Sequence, residues 1–141
     1  MARMADHTEE LAGVALFAGA TKRELAEIDK LTTEVTLAPG TVLVDQGEIG
    51  REAFVILEGE AEVQVDDTVV ATVGPGACVG EIALLDGGPR SASVVALTEV
   101  TALVLDPREF RSLLLNVPAI AVKVAAALAA KVRELDTKLY G

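Results

Sequence analysis

The segment from Gly80 to Val94 concentrates chemistry. Gly80-Glu81-Ile82-Ala83-Leu84 is followed at short distance by Pro89-Arg90-Ser91-Ala92-Ser93-Val94. A carboxylate, a guanidinium and two hydroxyls thus stand beside a stretch long enough for one or two helical turns. A small anionic sugar phosphate needs this set of groups. Amides at the start of the turn face a phosphate, an arginine fork takes two of its oxygens, and a carboxylate accepts from a sugar hydroxyl. The small residues Gly80, Ala83 and Ala92 let a ligand approach the backbone. Spacing alone leaves a second account open, in which Glu81 and Arg90 form a surface ion pair of little energetic weight and Gly80 only makes a turn.

Other chemistries lack their parts. Cys78 is the only cysteine and His7 the only histidine, so neither an internal disulfide, a thiolate zinc site nor a histidine-based metal cluster is expected. Cys78 reads as a small buried residue, and His7 falls among terminal residues expected to be mobile and without a chemical role. Asp66-Asp67 suits a tight turn better than paired acid–base work. Ser91 and Ser93 have no histidine near them, and the glycine-rich turns lack the lysine of a triphosphate loop. We expect a binding protein and no enzyme, with no cofactor and no metal. The net charge of −10 opposes a non-specific grip on nucleic acid.

The elements that must position these residues follow from periodicity. Two short N-terminal helices are expected over about 9–31. The first is capped at Thr8 and ends near Phe17 or Gly19; the second opens on a capping box, Thr21-Lys22-Arg23-Glu24, and carries Leu25, Ile28 and Leu31 at helical spacing. From Thr33 the period changes to two. Val35 and Leu37, Val42 and Val44, the apolar run Ala53–Leu57, then Ala61, Val63 and Val65, and Val69, Ala71 and Val73 read as short strands. Pro39-Gly40, Gly47, Gly59, Asp66-Asp67 and Gly74-Pro75-Gly76 supply the turns, and Val94–Ala96 and Ala102–Leu105 complete the set. No strand is followed by a crossover helix, so the sheet is antiparallel, a barrel or jelly roll over about 33–105. Asp106-Pro107-Arg108-Glu109 starts a further helix, with aspartate as cap and proline in the first turn. Pro118 interrupts it, and a last helix runs to about Leu139, its seam at Val117, Ala121, Val124, Leu128, Val132, Leu135 and Leu139 apolar from end to end. The C-terminal helices thus cover about 107–139. No leader peptide is legible before Glu10, and no uncharged apolar stretch reaches the roughly 18 residues of a membrane span. A single domain over 1–141 in the cytoplasm, with no nucleic-acid or membrane partner, is the expectation.

Residues 39–118 resemble the cyclic nucleotide-binding domain family. The resemblance rests on Pro39-Gly40, Gly47, Phe54-Val55-Ile56-Leu57-Glu58-Gly59 and Gly74-Pro75-Gly76, and above all on Gly80-Glu81-Ile82-Ala83-Leu84-Leu85 followed by Pro89-Arg90-Ser91-Ala92. These two motifs look like the phosphate-binding cassette of that family. The resemblance implies a fold that is mainly β with flanking helices, the double-stranded β-helix or jelly roll. It assigns Glu81 to the ribose 2′-hydroxyl and Arg90 to the cyclic phosphate. Gly80 and the amides of Ile82 and Ala83 belong to the cradle, which Ser91 and Ala92 complete. It implies a regulatory sensor for cAMP, ahead of cGMP. A hydroxyl at Ser91 stands where a guanine in its syn form is contacted, so cGMP stays open.

One position departs from the pattern. The family usually carries an aromatic residue just before the Gly-Glu pair, and here it is Val79, which makes one wall of the base site less bulky. In the family a residue of the last helix covers the base; Lys131, Arg133 and Leu135 are the candidates. Nothing after that helix resembles the helix-turn-helix, kinase or channel domains that family members attach, so the expectation is a sensing module alone, as a gene product beginning at Met1 or as a fragment. The alternative is a vestigial cassette on a protein-interaction module, pairing as a homodimer through the last helix or docking to an unknown effector protein.

Overall fold

The computed structural model describes residues 7–49 and 52–140, and at 82–84 and 138–140 the backbone alone. Helix α1 (Thr8–Ala12), a 3-10 turn at Ala15–Phe17 and helix α2 (Lys22–Asp29) precede the strands β1 (Thr32–Leu37), β2 (Val42–Val44), β3 (Ala53–Glu58), β4 (Ala61–Val65), β5 (Thr68–Val73) and β6 (Cys78–Val79). Helix α3 (Glu81–Asp86) separates these from β7 (Ser93–Ala96) and β8 (Val100–Leu105), and helices α4 (Pro107–Asn116) and α5 (Pro118–Tyr140) follow. The strands form two four-stranded sheets, in the orders β1-β8-β3-β6 and β2-β7-β4-β5. Every pairing among them is antiparallel. This is the expected jelly roll flanked by helices.

The apolar run of β3 has two jobs. Phe54 and Ile56 face the interior of the roll, with Leu43, Val44, Val79, Val94, Val100 and Ala102. Ala53 and Val55 point the other way, into a second cluster with Leu11, Phe17, Ile28, Leu103, Phe110 and Ile120 that seats the helices. A strand covered on both faces reads as a continuous apolar segment instead of an alternating one. Phe110 of α4 is fully buried, its ring 6.0 Å from that of Phe17. Removing such a ring from a packed core costs about 3–5 kcal/mol.

Local signals act where the sequence places them. The Thr21 hydroxyl accepts from Glu24 N, and the Glu24 carboxylate accepts in return from Thr21 N, the full capping box. Asp106 accepts from the amides of Arg108 and Glu109 with Pro107 in the first turn. Asp66 and Asp67 both have positive φ, 50° and 64°, the backbone of a two-residue turn whose twist matches the β4–β5 hairpin. At Pro118 the axis bends by 113° between α4 and α5.

Two expectations need correction, those on the first helix and on His7, and two further features, at β6 and along α5, go beyond what was expected. The first helix ends at Ala12, and Ala15–Phe17 is a separate 3-10 turn; Thr8 lies inside the helix, whose N-cap is His7. His7 is itself buried, with Nε2 2.9 Å from Glu34 Oε1 on β1, so it is an anchor of the N-terminal segment. Cys78–Val79 forms a strand, β6, against Phe54 and Val55, which no alternation announces in two residues. The seam of α5 is not one buried face. Ile120 and Val124 are 1% and 4% exposed, while Val132 and Leu135 are 64% and 59% exposed. The helix packs on the body in its first half and runs past it in its second. The Leu139 side chain and the N-terminal residues before His7 lie outside what is described. Among the described residues no single helix is long and apolar enough to cross a membrane.

Candidate functional site

Gly80 joins β6 to α3 with φ of +82°. A Cβ built there would lie 2.9 Å from the Glu52 carbonyl oxygen and would overlap the Arg90 guanidinium. Both the left-handed backbone and the lack of space demand glycine. Its carbonyl accepts from Arg90 Nη1 at 3.2 Å, and the Glu52 carbonyl accepts from Nη2 at 2.5 Å. The half-buried guanidinium thereby bridges the Gly80 turn and the chain just before β3. Burial lowers the Arg90 pKa and the nearby Glu52 carboxylate opposes the shift; an arginine starts so high that it stays charged.

The Arg90 backbone is fixed as well. Its N–H donates to Glu48 O at 2.8 Å, and its carbonyl accepts from Gly47 N at 2.9 Å. Ile49 and Pro89 form an isolated antiparallel bridge beside them. Ser93, at the start of β7, accepts from Gln46 N at 2.9 Å and donates to Asp45 Oδ1 at 3.3 Å. The Ser93 hydroxyl is therefore committed to holding this loop. Ser91 is exposed and Ala92 half-buried.

Glu81 opens α3. Its Oε2 is buried and has no hydrogen-bond partner. Buried acceptors are nearly always satisfied, and an orphan one is costly. The carboxylate lies against the Cys78 thiol, whose pKa is pushed up by burial first and then by the Glu81 charge, while Lys131 of α5 pulls it down. Among the described residues Glu81 and Arg90 form no ion pair with one another, which removes the surface-pair account of these two residues.

The sequence-derived site is partly gathered. The Arg90 guanidinium meets the Gly80 carbonyl, and Glu81, Ile82 and Ala83 follow Gly80 in the first turn of α3. Val79 is buried inside the roll, paired with Phe54. Lys131, Arg133 and Leu135 are exposed. Sequence reasoning missed Glu52, because its contribution is chiefly a backbone carbonyl, which every residue has. It also missed the Asp45–Ile49 loop as the support of Arg90.

Comparison with known proteins gives the family. The pattern described as cyclic nucleotide-binding domain matches residues 34–116, and the chain belongs to that family. It is 38% identical over 111 residues to the cyclic nucleotide-gated potassium channel mll3241 of Mesorhizobium japonicum, covering 79% of this chain and 31% of the channel. It is 32% identical over 105 residues to the cyclic AMP receptor protein of Thermus thermophilus, covering 71% of this chain and 49% of that protein. The chain therefore spans less than half the length of either relative. Among solved structures, the N-terminal domain of a transcriptional regulator from Streptomyces coelicolor A3(2) superposes with a TM-score of 0.82 at 33% identity, covering 91% of this chain and 95% of that one. The domain is a regulatory, non-catalytic, cyclic-nucleotide-binding module.

Proposed function

We propose that the chain, taken over 1–141 as a single module in a reducing, cytoplasmic setting, binds cAMP, and cGMP second, and reports occupancy through its C-terminal helices. The observation that carries this is the buried, unpartnered Glu81 Oε2 in the same cassette as the half-buried Arg90 cation. A ribose 2′-hydroxyl supplies the donor that Glu81 Oε2 lacks. A cyclic phosphate takes the guanidinium fork, which its two carbonyl partners already aim, and the exchange of carbonyl for phosphate oxygens is a gain in charge-assisted bonding. Gly80 and the Ile82 and Ala83 amides line the phosphate, and Ser91 and Ala92 close the cradle. Val79 is the wall of the base site. The preference for cAMP leans on the receptor among the relatives, which is a cAMP protein by name.

Binding redistributes two populations. Ligand draws the cassette inward, α4 shifts with it, and the projecting half of α5 folds over the base with Lys131, Arg133 or Leu135 as cover. A cation above a purine face adds roughly 0.5–1 kcal/mol. The α5 half that carries Val132 and Leu135 in solvent also favours a second reading, a contact with another chain or an effector protein. Titration calorimetry with cAMP and cGMP tests the first reading. Dissociation constants above about 1 mM for both, less than about 4 kcal/mol of binding, would rule it out.

A further inference from the structure

Arg90 sits in a stretch without regular strand, and the loop Asp45–Ile49 holds its backbone through Glu48 O and Gly47 N. That loop is itself tethered by a side chain. Gln46 Nε2 donates to Asp66 Oδ1 at 3.1 Å, and Gln46 Oε1 accepts from Asp66 N at 2.9 Å. One amide thus makes two reciprocal bonds to one residue, at the tip of the β4–β5 hairpin. The tip is a tight two-residue turn, with Asp66 and Asp67 both in left-handed backbone. Gln46 N is in turn bonded to Ser93, three residues after Arg90. The chain of contacts runs from Asp66 through Gln46 to the loop, and from the loop to the Arg90 backbone.

We propose that Gln46 is the positioning residue for Arg90: by clasping the hairpin tip at Asp66 it holds the loop that fixes the arginine for a phosphate. The functional consequence rests on the cyclic-nucleotide reading above; the hold on Arg90 does not. A side chain that must meet an anion within a fraction of an ångström depends on supports behind it. The guanidinium is braced at Gly80 O and Glu52 O, but those bonds fix its end; the clasp fixes its origin.

The chemistry of the clasp supplies a reversible test. In Gln46→Glu the carboxylate still accepts from Asp66 N but faces the Asp66 carboxylate, so the two repel. Adding Asp66→Asn turns the second contact into a donor–acceptor pair again. Two readouts are measured on the full chain: hydrogen exchange of the Arg90 and Gly47 amides by NMR, and calorimetric affinity for cAMP. Gln46→Glu is expected to speed exchange of both amides at least about tenfold and to weaken cAMP binding about fivefold, with the far-UV spectrum unchanged. Gln46→Glu with Asp66→Asn is expected to return both to wild type. Gln46→Ala, which removes both bonds and adds no charge, should match the single glutamate variant in direction and serves if that variant folds poorly. Wild-type exchange in Gln46→Glu and Gln46→Ala overturns the proposal, and so does a defect that the second substitution does not repair. If the wild-type chain binds neither cAMP nor cGMP, the cyclic-nucleotide reading fails, while the exchange rates still decide whether Gln46 holds Arg90.

Discussion

One oxygen of Glu24 serves two helices: Oε1 accepts from Thr21 N at 2.9 Å to close the cap of α2, and from Lys123 Nζ of α5 at 2.6 Å. The cap is local, but the lysine comes from ninety-nine residues away in the sequence. The pair fastens the first half of α5 to the N-terminal helices, next to the point where Ile120 and Val124 enter the core.

A pH dependence follows from this pair. The Lys123 hydrogen bond first, and the Thr21 amide next, hold the Glu24 carboxyl below its ordinary value of 4.5. A depressed carboxylate contributes stability that is present above its unfolded pKa and lost as pH falls through the folded one. Lys123→Met should therefore melt below wild type near neutral pH, and the gap should close as pH drops below 4.5. Thermal melts of both chains across that range check it. High salt should narrow the same gap, since the pair is not fully buried.

Arg90→Ala should weaken cAMP binding at least about tenfold, about 1.4 kcal/mol, in a chain that remains folded. Glu81→Ala should cost less, because its expected partner is a neutral hydroxyl. Calorimetry on the three chains gives the order; equal affinity of wild type and Arg90→Ala would remove Arg90 from the site.

Gly80→Ala should be worse for stability than an ordinary surface change, by about 1–3 kcal/mol, because a strained positive φ and a clash with Glu52 O arrive together. Denaturant unfolding measures it. The same substitution should abolish tight cAMP binding by displacing the Arg90 guanidinium, so stability and affinity fall together.

The two halves of α5 should answer differently. Ile120→Ala should cost about 2–5 kcal/mol, whereas Val132→Ser and Leu135→Ser should stay within about 0.5 kcal/mol, being solvent-facing. If α5 pairs two chains, light scattering should give twice 14.6 kDa, reverting to the single-chain mass with Leu128→Glu and Leu135→Glu together. A mass of 14.6 kDa at every concentration, with and without cAMP, excludes that pairing.

Cys78 should be alkylated slowly at neutral pH, since burial and the Glu81 charge both oppose the thiolate. Lys131→Ala removes the one influence acting in the other direction and should slow the reaction further, while Glu81→Gln should speed it. Mass spectrometry of iodoacetamide-treated protein reads both. An unchanged rate in Lys131→Ala would mean that the Lys131 charge does not act on the thiol.

The residue sequence by itself determined the parts whose cause is local. The capping box at Thr21 and Glu24, the Asp106 cap with Pro107, the break at Pro118 and the left-handed turn at Asp66-Asp67 each depend on a few neighbouring residues, so their types announce them. The strand periods and the antiparallel class were legible for the same reason, and the Gly80–Leu84 and Pro89–Ala92 motifs marked the cassette. Only the tertiary structure decided what these residues meet. Arg90 rests on the carbonyls of Gly80 and Glu52, and carbonyls carry no side-chain signature. Glu81 Oε2 is buried without a partner, and His7 becomes an anchor through Glu34 on β1. The seam of α5 is apolar throughout, yet it is buried at Val124 and exposed at Val132, because a helix's periodicity records which side is apolar and not how far the body beneath it extends.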